Sequence, residues 1–486
     1  MSQSTTESFI LAGAGKFLGI FLTFAFNWLL ARYFLTPYDF GLLGMVYVLV
    51  SLANTTMIGG LGQAVIQREV VSKADLDTVF TFNLALSLAM YALMYFLAPS
   101  IAKFYNNSEL ILIVRVLSLL IIINAFVVVQ NALIIRHMKY KKLLLITLIS
   151  QFFGYAIGVV MAVKRLGVWS LVCANLGIIF SSAILYRVTS DYIPAISFSK
   201  RSFQKMFSYG GLLYLSTLTK TIYDNALYLI LGKRYSPMMV GYYTQAEKLQ
   251  GVPNSSITEI IYLVTLPLFS KSQSDQKELR QKFIKNQYAV SYVSCFIMGL
   301  LLSVSEPLII LLYTNKWMRS VPIFQWLCIA GFFLAICNTH LELIKSVGRA
   351  MTHFKLTLGL KLTSLIVLIF CSLISLRAVL IGFVLSNFAI FLIAASITRR
   401  LLGVEYDLLI FPHLLTSFIS IASAIIPLMV INHSSVSNII MIILSAILFC
   451  ATFIAICHFS KNRGYLLVTN ALRNKLKHIH FIHIES

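Results

Sequence analysis

The stretch Arg32–Gly41, RYFLTPYDFG, has a partner two hundred residues later, KRYSPMMVGY from Lys233 to Tyr242. Thr36, Pro37 and Gly41 of the first match Ser236, Pro237 and Gly241 of the second. A proline lacks an N–H and fixes φ, so it closes one helix or opens the next, and a glycine just beyond lets helices approach closely. Two more echoes follow. Pro99-x-Ile101-x-x-x-Tyr105 reappears as Pro307-x-Ile309-x-x-x-Tyr313, offset by 208, and Val172-x-x-Asn175 as Val384-x-x-Asn387, offset by 212. Collinear echoes with a slowly growing offset read as duplication of a six-helix unit. Because six is even, both copies enter a membrane in the same orientation, related by a pseudo-twofold along its normal. The repeated hinge then joins the first two helices of each bundle, and the two bundles flank a central cleft.

The membrane follows from composition. Of 486 residues, 59% are hydrophobic and 12% charged, and the mean hydropathy is +0.86. A soluble domain is far more polar. Apolar runs of about 20 residues recur, long enough as helices to cross a hydrocarbon core of about 30 Å. We read fourteen spans: 9–31, 40–62, 76–98, 110–135, 143–163, 168–188, 207–230, 239–267, 288–312, 322–344, 356–376, 378–398, 410–431 and 439–459. The expected fold is an all-α polytopic membrane protein. Two six-helix bundles, 1–200 and 201–404, are followed by two additional transmembrane helices in 405–459 and a basic cytoplasmic tail, 460–486.

A formal charge of +22 raises the question of nucleic acid, and the positions of the 39 Lys and Arg answer it. With the N-terminus inside, cytoplasmic loops and tail hold 25 of them and the opposite loops nine. This bias is the positive-inside pattern and predicts that both termini are cytoplasmic. Basicity here reports topology and contact with anionic lipid, and no basic stripe with interleaved aromatics lies outside the spans. No nucleic-acid partner is expected.

Several motifs dissolve under the same reading. The N-terminus has no basic n-region, so the first span is expected to remain as a helix. Its GAGK lacks the earlier glycine of a phosphate loop, Ile10 standing in that place, and small residues for helix packing explain Gly13, Ala14 and Gly15. The seven cysteines all fall within spans without metal-like spacing. His478, His480 and His483 of the tail match no zinc spacing, and an amphipathic segment on anionic lipid fits them better. No nucleotide loop, catalytic triad or HExxH motif occurs, so no enzymatic step, metal or cofactor is expected.

The words of the sequence also carry a resemblance. LLARYFLTPYDFGLLGMVYVLVSL, GLGQAVIQREVVSKADLDTVFTFNL, APSIAKFYNN, RVLSLLIIINAF, RHMKYKKLLLI and GVWSLV resemble the polysaccharide flippases of the multidrug/oligosaccharidyl-lipid/polysaccharide exporter superfamily. The likeness is to the Wzx-type branch that handles O-antigen, colanic and teichuronic acid units, and it spans residues 10 to about 400, densest in the first half. The resemblance implies transport of an undecaprenyl-pyrophosphate-linked oligosaccharide from the inner to the outer leaflet of a bacterial inner membrane. The product would be O-antigen, capsule or exopolysaccharide, and polysaccharide polymerase machinery would be a partner. The runner-up is a cation-coupled multidrug exporter of the same superfamily; a scaffold or integral glycosyltransferase comes third.

Flipping such a molecule requires a wet, partly cationic path, because an unsatisfied polar group in hydrocarbon costs several kcal/mol. Ionisable residues deep in spans are therefore the candidates. Lys16 lies 21 residues before Pro37 and Lys220 lies 17 before Pro237, a difference of about one helical turn. After alignment of the repeats the two project from nearly the same face of equivalent helices, about 40° apart, and both are expected to face the cleft and to bind phosphate or acidic sugar. Lys248 is a third candidate. Asp224, one turn after Lys220, and Glu247 are expected to couple an ion or to partner a lysine. Carboxylates would dominate the cleft of a cation exporter, whereas paired lysines favour an anionic ligand.

Overall fold

The computed structural model describes residues 5–58, 61–68, 70–270, 272, 275–431 and 437–482. Each of the fourteen expected spans overlaps helix, residues 59–60 of the second lying outside the described residues, and no strand occurs among the described residues. The end of the tail, with His483, lies outside them. Among the described residues, eleven helices are long and apolar enough to cross a membrane, twelve if one bent pair is a single span. The seventh and eighth expected spans are helices too, but they carry Lys220, Asp224, Glu247 and Lys248 and fall short of that apolarity.

The chain packs as two compact units, Met1–Thr244 and Gln245–Ser486. The first begins with α1 (Thr5–Leu29), α2 (Pro37–Ile58), α3 (Leu61–Gln67) and α4 (Lys73–Tyr105). It continues through α5 (Leu110–Leu117), α6 (Leu119–Arg136), α7 (Tyr140–Val163) and α8 (Trp169–Thr189). Then come α9 (Lys200–Asp224), α10 (Ala226–Arg234) and the opening turns of α11 (Pro237–Ser270). Ser72 and Asp75 start α4 with a capping box, each side chain accepting from the other's backbone N–H. Small residues set the closest crossing: a Cβ on Gly154 of α7 would lie 2.6 Å from the Ile178 nitrogen of α8, and one on Gly158 2.8 Å from Ala174 Cβ. Without a hydrophobic drive between helices in lipid, such close approach is what supplies association energy.

The repeated hinges meet inside this unit. A Cβ on Gly41 would lie 1.7 Å from the Pro237 carbonyl oxygen, and one on Gly241 1.8 Å from that of Pro37. The contact is reciprocal, as a pseudo-twofold requires, and only glycine permits it on either side. At both helix starts a hydrogen bond joins the residue before the proline to the one three residues on, in opposite directions. Asp39 Oδ2 accepts from Thr36 N–H at 2.8 Å, and Ser236 Oγ accepts from Met239 N–H at 3.2 Å.

The second unit contains the rest of α11, then α12 (Gln276–Ser303), α13 (Ser305–Tyr313), α14 (Ser320–Ser346), α15 (Ala350–Ser372) and α16 (Leu376–Leu402). Beyond them lie the short α17 (Tyr406–Leu409), α18 (Phe411–Ile431), α19 (Asn438–Phe459) and α20 (Arg463–Ile482). Buried polar bonds dock α18, and the end of α17 before it, on α12. The Gln287 amide donates to the Leu409 carbonyl at 2.7 Å, Ser291 Oγ meets His413 Nδ1 at 2.6 Å, and Cys295 Sγ lies 3.4 Å from Ser417 Oγ. These partners keep one offset of 122, so the two helices run parallel.

Local conformations recur at the offsets of the sequence echoes. Asn106, after Tyr105, and Thr314, after Tyr313, both take positive φ, 54° and 74°. Asn175 and Asn387 each donate a side-chain hydrogen bond of 2.8 Å to the carbonyl four residues earlier. The copies differ at the proline. α4 runs through Pro99, whereas the second copy bends by 65° between α12 and α13. There Pro307 sits in the first turn of α13, where its missing N–H needs no partner.

Candidate functional site

The two lysines stand on the first helix of each copy. Gly15 and Gly19 of α1 are buried, and a Cβ on Gly15 would meet Leu144 of α7 at 2.6 Å. Further along that seam, Tyr155 donates to Thr23 Oγ1 at 2.8 Å and stacks on Phe26 with ring centroids 4.2 Å apart. Lys16, next to Gly15 on the α1 turn, is exposed. Of that small-residue run Gly15 thus serves helix contact, whereas Gly13 is exposed, with nothing within 4 Å of where its Cβ would stand.

Lys220 is likewise exposed, in the last two turns of α9. The neighbouring Thr221 lies 3.0 Å, oxygen to oxygen, from Thr55 of α2, which fixes the rotation of α9 at this level. Asp224 is the exposed last residue of α9 and shares a face with Lys220. A carboxylate at a helix C-terminus opposes the macrodipole, so a cation one turn earlier offsets that cost. Glu247 and Lys248 are adjacent on α11, both half-buried, in the second unit. Around them Gln245 is 1% exposed with neither amide atom hydrogen-bonded, and Gln250 points its amide at Met298 Sδ, 3.7 Å away.

The structure brings Lys220 and Asp224 onto one face and makes Glu247 and Lys248 neighbours. It holds Lys16 on a different seam, against α7. The 40° relation between the lysines assumed uninterrupted helices, and neither helix is one. Between Lys16 and Pro37 a π-helical turn, Leu30–Phe34, widens the register by a residue per turn, and between Lys220 and Pro237 the helix breaks at Asn225. Helix arithmetic therefore does not carry one lysine's direction onto the other.

Of the polar residues that frame α2, sequence reasoning took Asn54 as a helix-to-helix hydrogen-bonding residue and missed Thr55 and its partner Thr221. Besides Thr55, Asn54 of α2 accepts from Asn124 of α6 at 3.0 Å. The signal for Thr55 was available: amides and hydroxyls one residue apart in an otherwise apolar span. The buried His340 and His413 of the second unit were also passed over. His340 bonds Thr398 Oγ1 at 2.8 Å and approaches the Gln287 amide at 3.3 Å, so both histidines serve packing of the added helix α18 and its neighbours. Among the described residues no group of three His, Cys, Asp or Glu is placed to hold a metal ion.

The sequence profile of a family described as polysaccharide biosynthesis protein matches residues 29–322, more than half of the chain. The teichuronic acid biosynthesis protein TuaB of Bacillus subtilis is 25% identical over 61% of this chain and 62% of its own length. The lipopolysaccharide biosynthesis protein WzxC of Escherichia coli is 27% identical over 65% of each. The matched region thus spans less than two thirds of these relatives. Among solved structures, the lipid II flippase MurJ in an inward closed conformation superposes with a TM-score of 0.72, at 14% identity, over 91% of this chain and 98% of that one. An inward-facing multidrug resistance MATE transporter of the MOP superfamily gives 0.62, at 16% identity, over 83% and 96%. At such identities the likeness concerns the fold, an all-α polytopic one shared with MurJ and MATE proteins.

Proposed function

The chain belongs to the polysaccharide biosynthesis protein family, and from that premise we propose that it flips a lipid-linked oligosaccharide from the cytoplasmic to the outer leaflet for surface polysaccharide. The carrier we assign is undecaprenyl pyrophosphate, and the membrane is the bacterial inner membrane with both termini cytoplasmic. The observation that carries the proposal is the pair of exposed lysines, Lys16 and Lys220, on the first helix of each copy. An exposed ammonium on each of these helices can give a pyrophosphate charge-assisted hydrogen bonds.

In this reading the two copies, 1–200 and 201–404, rock to expose a cationic path alternately, while 405–459 and the tail 460–486 are accessories. The repeat boundary is an evolutionary one and differs from the packing boundary at Thr244, because α9 and α10 settle on α2. Lys16, Lys220 and Lys248 hold phosphate or acidic sugar; Asp224 and Glu247 balance charge or couple an ion. In this reading the chain acts as a transporter, without a covalent step, and its fold likeness to the flippase MurJ and to a MATE transporter supports this. The same fold serves multidrug exporters, but the lysines favour an anionic cargo over a cationic drug.

The test is deletion of the gene in its host, with surface glycan and lipid-linked repeat units both quantified by leaflet. Loss of glycan with lipid-linked units gathering on the cytoplasmic face is the expected result. Normal glycan without accumulation, in a host lacking a second flippase, overturns the proposal and favours small-molecule export.

A further inference from the structure

We propose that the first unit binds an anionic phospholipid of the surrounding leaflet, one acyl chain lying in a groove between α4, α6 and α8 and its phosphate resting on Arg187. The groove has a volume of about 640 Å³, within the range of about 300–1,000 Å³ typical of small-ligand sites. Phe126 of α6 and Phe180, Ile184 and Val188 of α8 give it an apolar lining, and all four are exposed.

Its remaining wall is built in. The segment after α8, residues 190–199, is strapped onto the first turns of α4. Asp77, 5% exposed, accepts from the Tyr192 hydroxyl at 2.7 Å and the Ala195 N–H at 3.1 Å. Farther along, Thr81 Oγ1 accepts from Ser197 N–H at 3.0 Å, and Thr78 Oγ1 from Ser199 N–H at 3.1 Å. Ile193 and Pro194 line the groove between the first two of these anchors. A wall fixed in advance lowers the ordering cost of binding.

Two polar groups select the ligand. Gln130 lines the groove and is only 2% exposed, yet its Oε1 has no hydrogen-bond partner. An unsatisfied amide oxygen at this depth is costly, and with the amide turned over its N–H donates to an ester oxygen of the lipid. Arg187 lines the same groove from the last turn of α8 and offers a planar fork that matches phosphate. Next to it along α6 and the strap lies a cavity of about 280 Å³ lined by His137, Lys139 and Lys142 as well as Asp191. Its excess of cations adds attraction for an anionic headgroup. A saccharide would need many hydroxyl partners, and this lining offers one amide, which is why the occupant is a bulk phospholipid and not the cargo.

The proposal goes beyond the flippase reading; only the choice of the cytoplasmic leaflet rests on the topology given above. Purified full-length protein in detergent is titrated by native mass spectrometry with dioleoyl phosphatidylglycerol, dioleoyl phosphatidylcholine and undecaprenyl phosphate. Phosphatidylglycerol is expected to bind at least tenfold tighter than phosphatidylcholine. Arg187→Gln should erase that preference, Gln130→Leu should weaken both phospholipids severalfold, and Lys164→Gln, at the other end of α7, should change nothing. Equal affinity for the two phospholipids, or an unaltered preference in Arg187→Gln, overturns the proposal. Displacement of phosphatidylglycerol by undecaprenyl phosphate in an Arg187-dependent manner overturns it as well and gives the groove to the cargo. None of these readouts depends on transport, so failure of the flippase reading leaves them intact.

Discussion

Lys220 stands exposed on α9 beside the Thr221 hydroxyl that ties the helix to α2, and Lys16 stands exposed beside the buried Gly15 that ties α1 to α7. In each case the neighbour that packs fixes the rotation of the helix, and so the lysine's direction is a consequence of helix contact. If either ammonium holds a phosphate, truncation removes a charge-assisted hydrogen bond of about 1.5–3 kcal/mol, roughly one to two decades in affinity. We expect Lys220→Ala and Lys16→Ala each to reduce export at least tenfold at matched protein levels, and the arginine variants to retain part of it. Undiminished export in both alanine variants would remove these residues from the mechanism while leaving the fold untouched.

At the scale of elements, the hinge glycines and the α12–α18 dock make separate demands. Adding a methyl at Gly41 or Gly241 forces two backbones apart, and overpacking of this kind costs about 1–3 kcal/mol. Gly41→Ala and Gly241→Ala are expected to lower the melting temperature in detergent, and the double variant to lose less than the sum, since both break one contact. Strict additivity would show that the reciprocal contact is not shared. His413→Ala should destabilise by at least about 1–3 kcal/mol, because it leaves the buried Ser291 hydroxyl without its partner. A melting curve identical to that of the parent would mean that the Ser291–His413 bond contributes nothing to the docking of α18. These contacts mark what the sequence could and could not tell. Hydropathy located the helices because each span obeys the hydrocarbon locally, and Pro37 with Gly41 announced a repeat because backbone chemistry is local too. That the two glycines face one another is not local, and no spacing within either copy encodes it. The π turn at Leu30–Phe34 and the break at Asn225 were hidden for a related reason: both preserve helical composition while shifting register. Likewise Asp77 reads as one more acid near a helix start, and only the fold discloses that it pins a strap from residues 190–199.

For the whole molecule, the distribution of charge makes the strongest claim, because it concerns every loop at once. The basic residues between α6 and α7, Arg136, Lys139, Lys141 and Lys142, face one side under the proposed topology; Lys164 and Arg165, between α7 and α8, face the other. A helix of 24 residues, α7, separates the two sets and is long enough to cross the hydrocarbon core. The seven native cysteines all lie within helices, so they can be replaced by alanine and single cysteines introduced at Lys141 and Lys164. In intact cells a membrane-impermeant maleimide should label the cysteine at 164 and spare the one at 141 until the membrane is opened. The opposite pattern would invert the chain, placing the lipid groove at Arg187 and the loops richest in lysine on the outer face, and it would send a flippase's cargo the wrong way. Labelling of both positions in intact cells would mean that α7 does not cross. Only the first outcome is compatible with loading a cytoplasmic lipid-linked saccharide past Lys16 and Lys220.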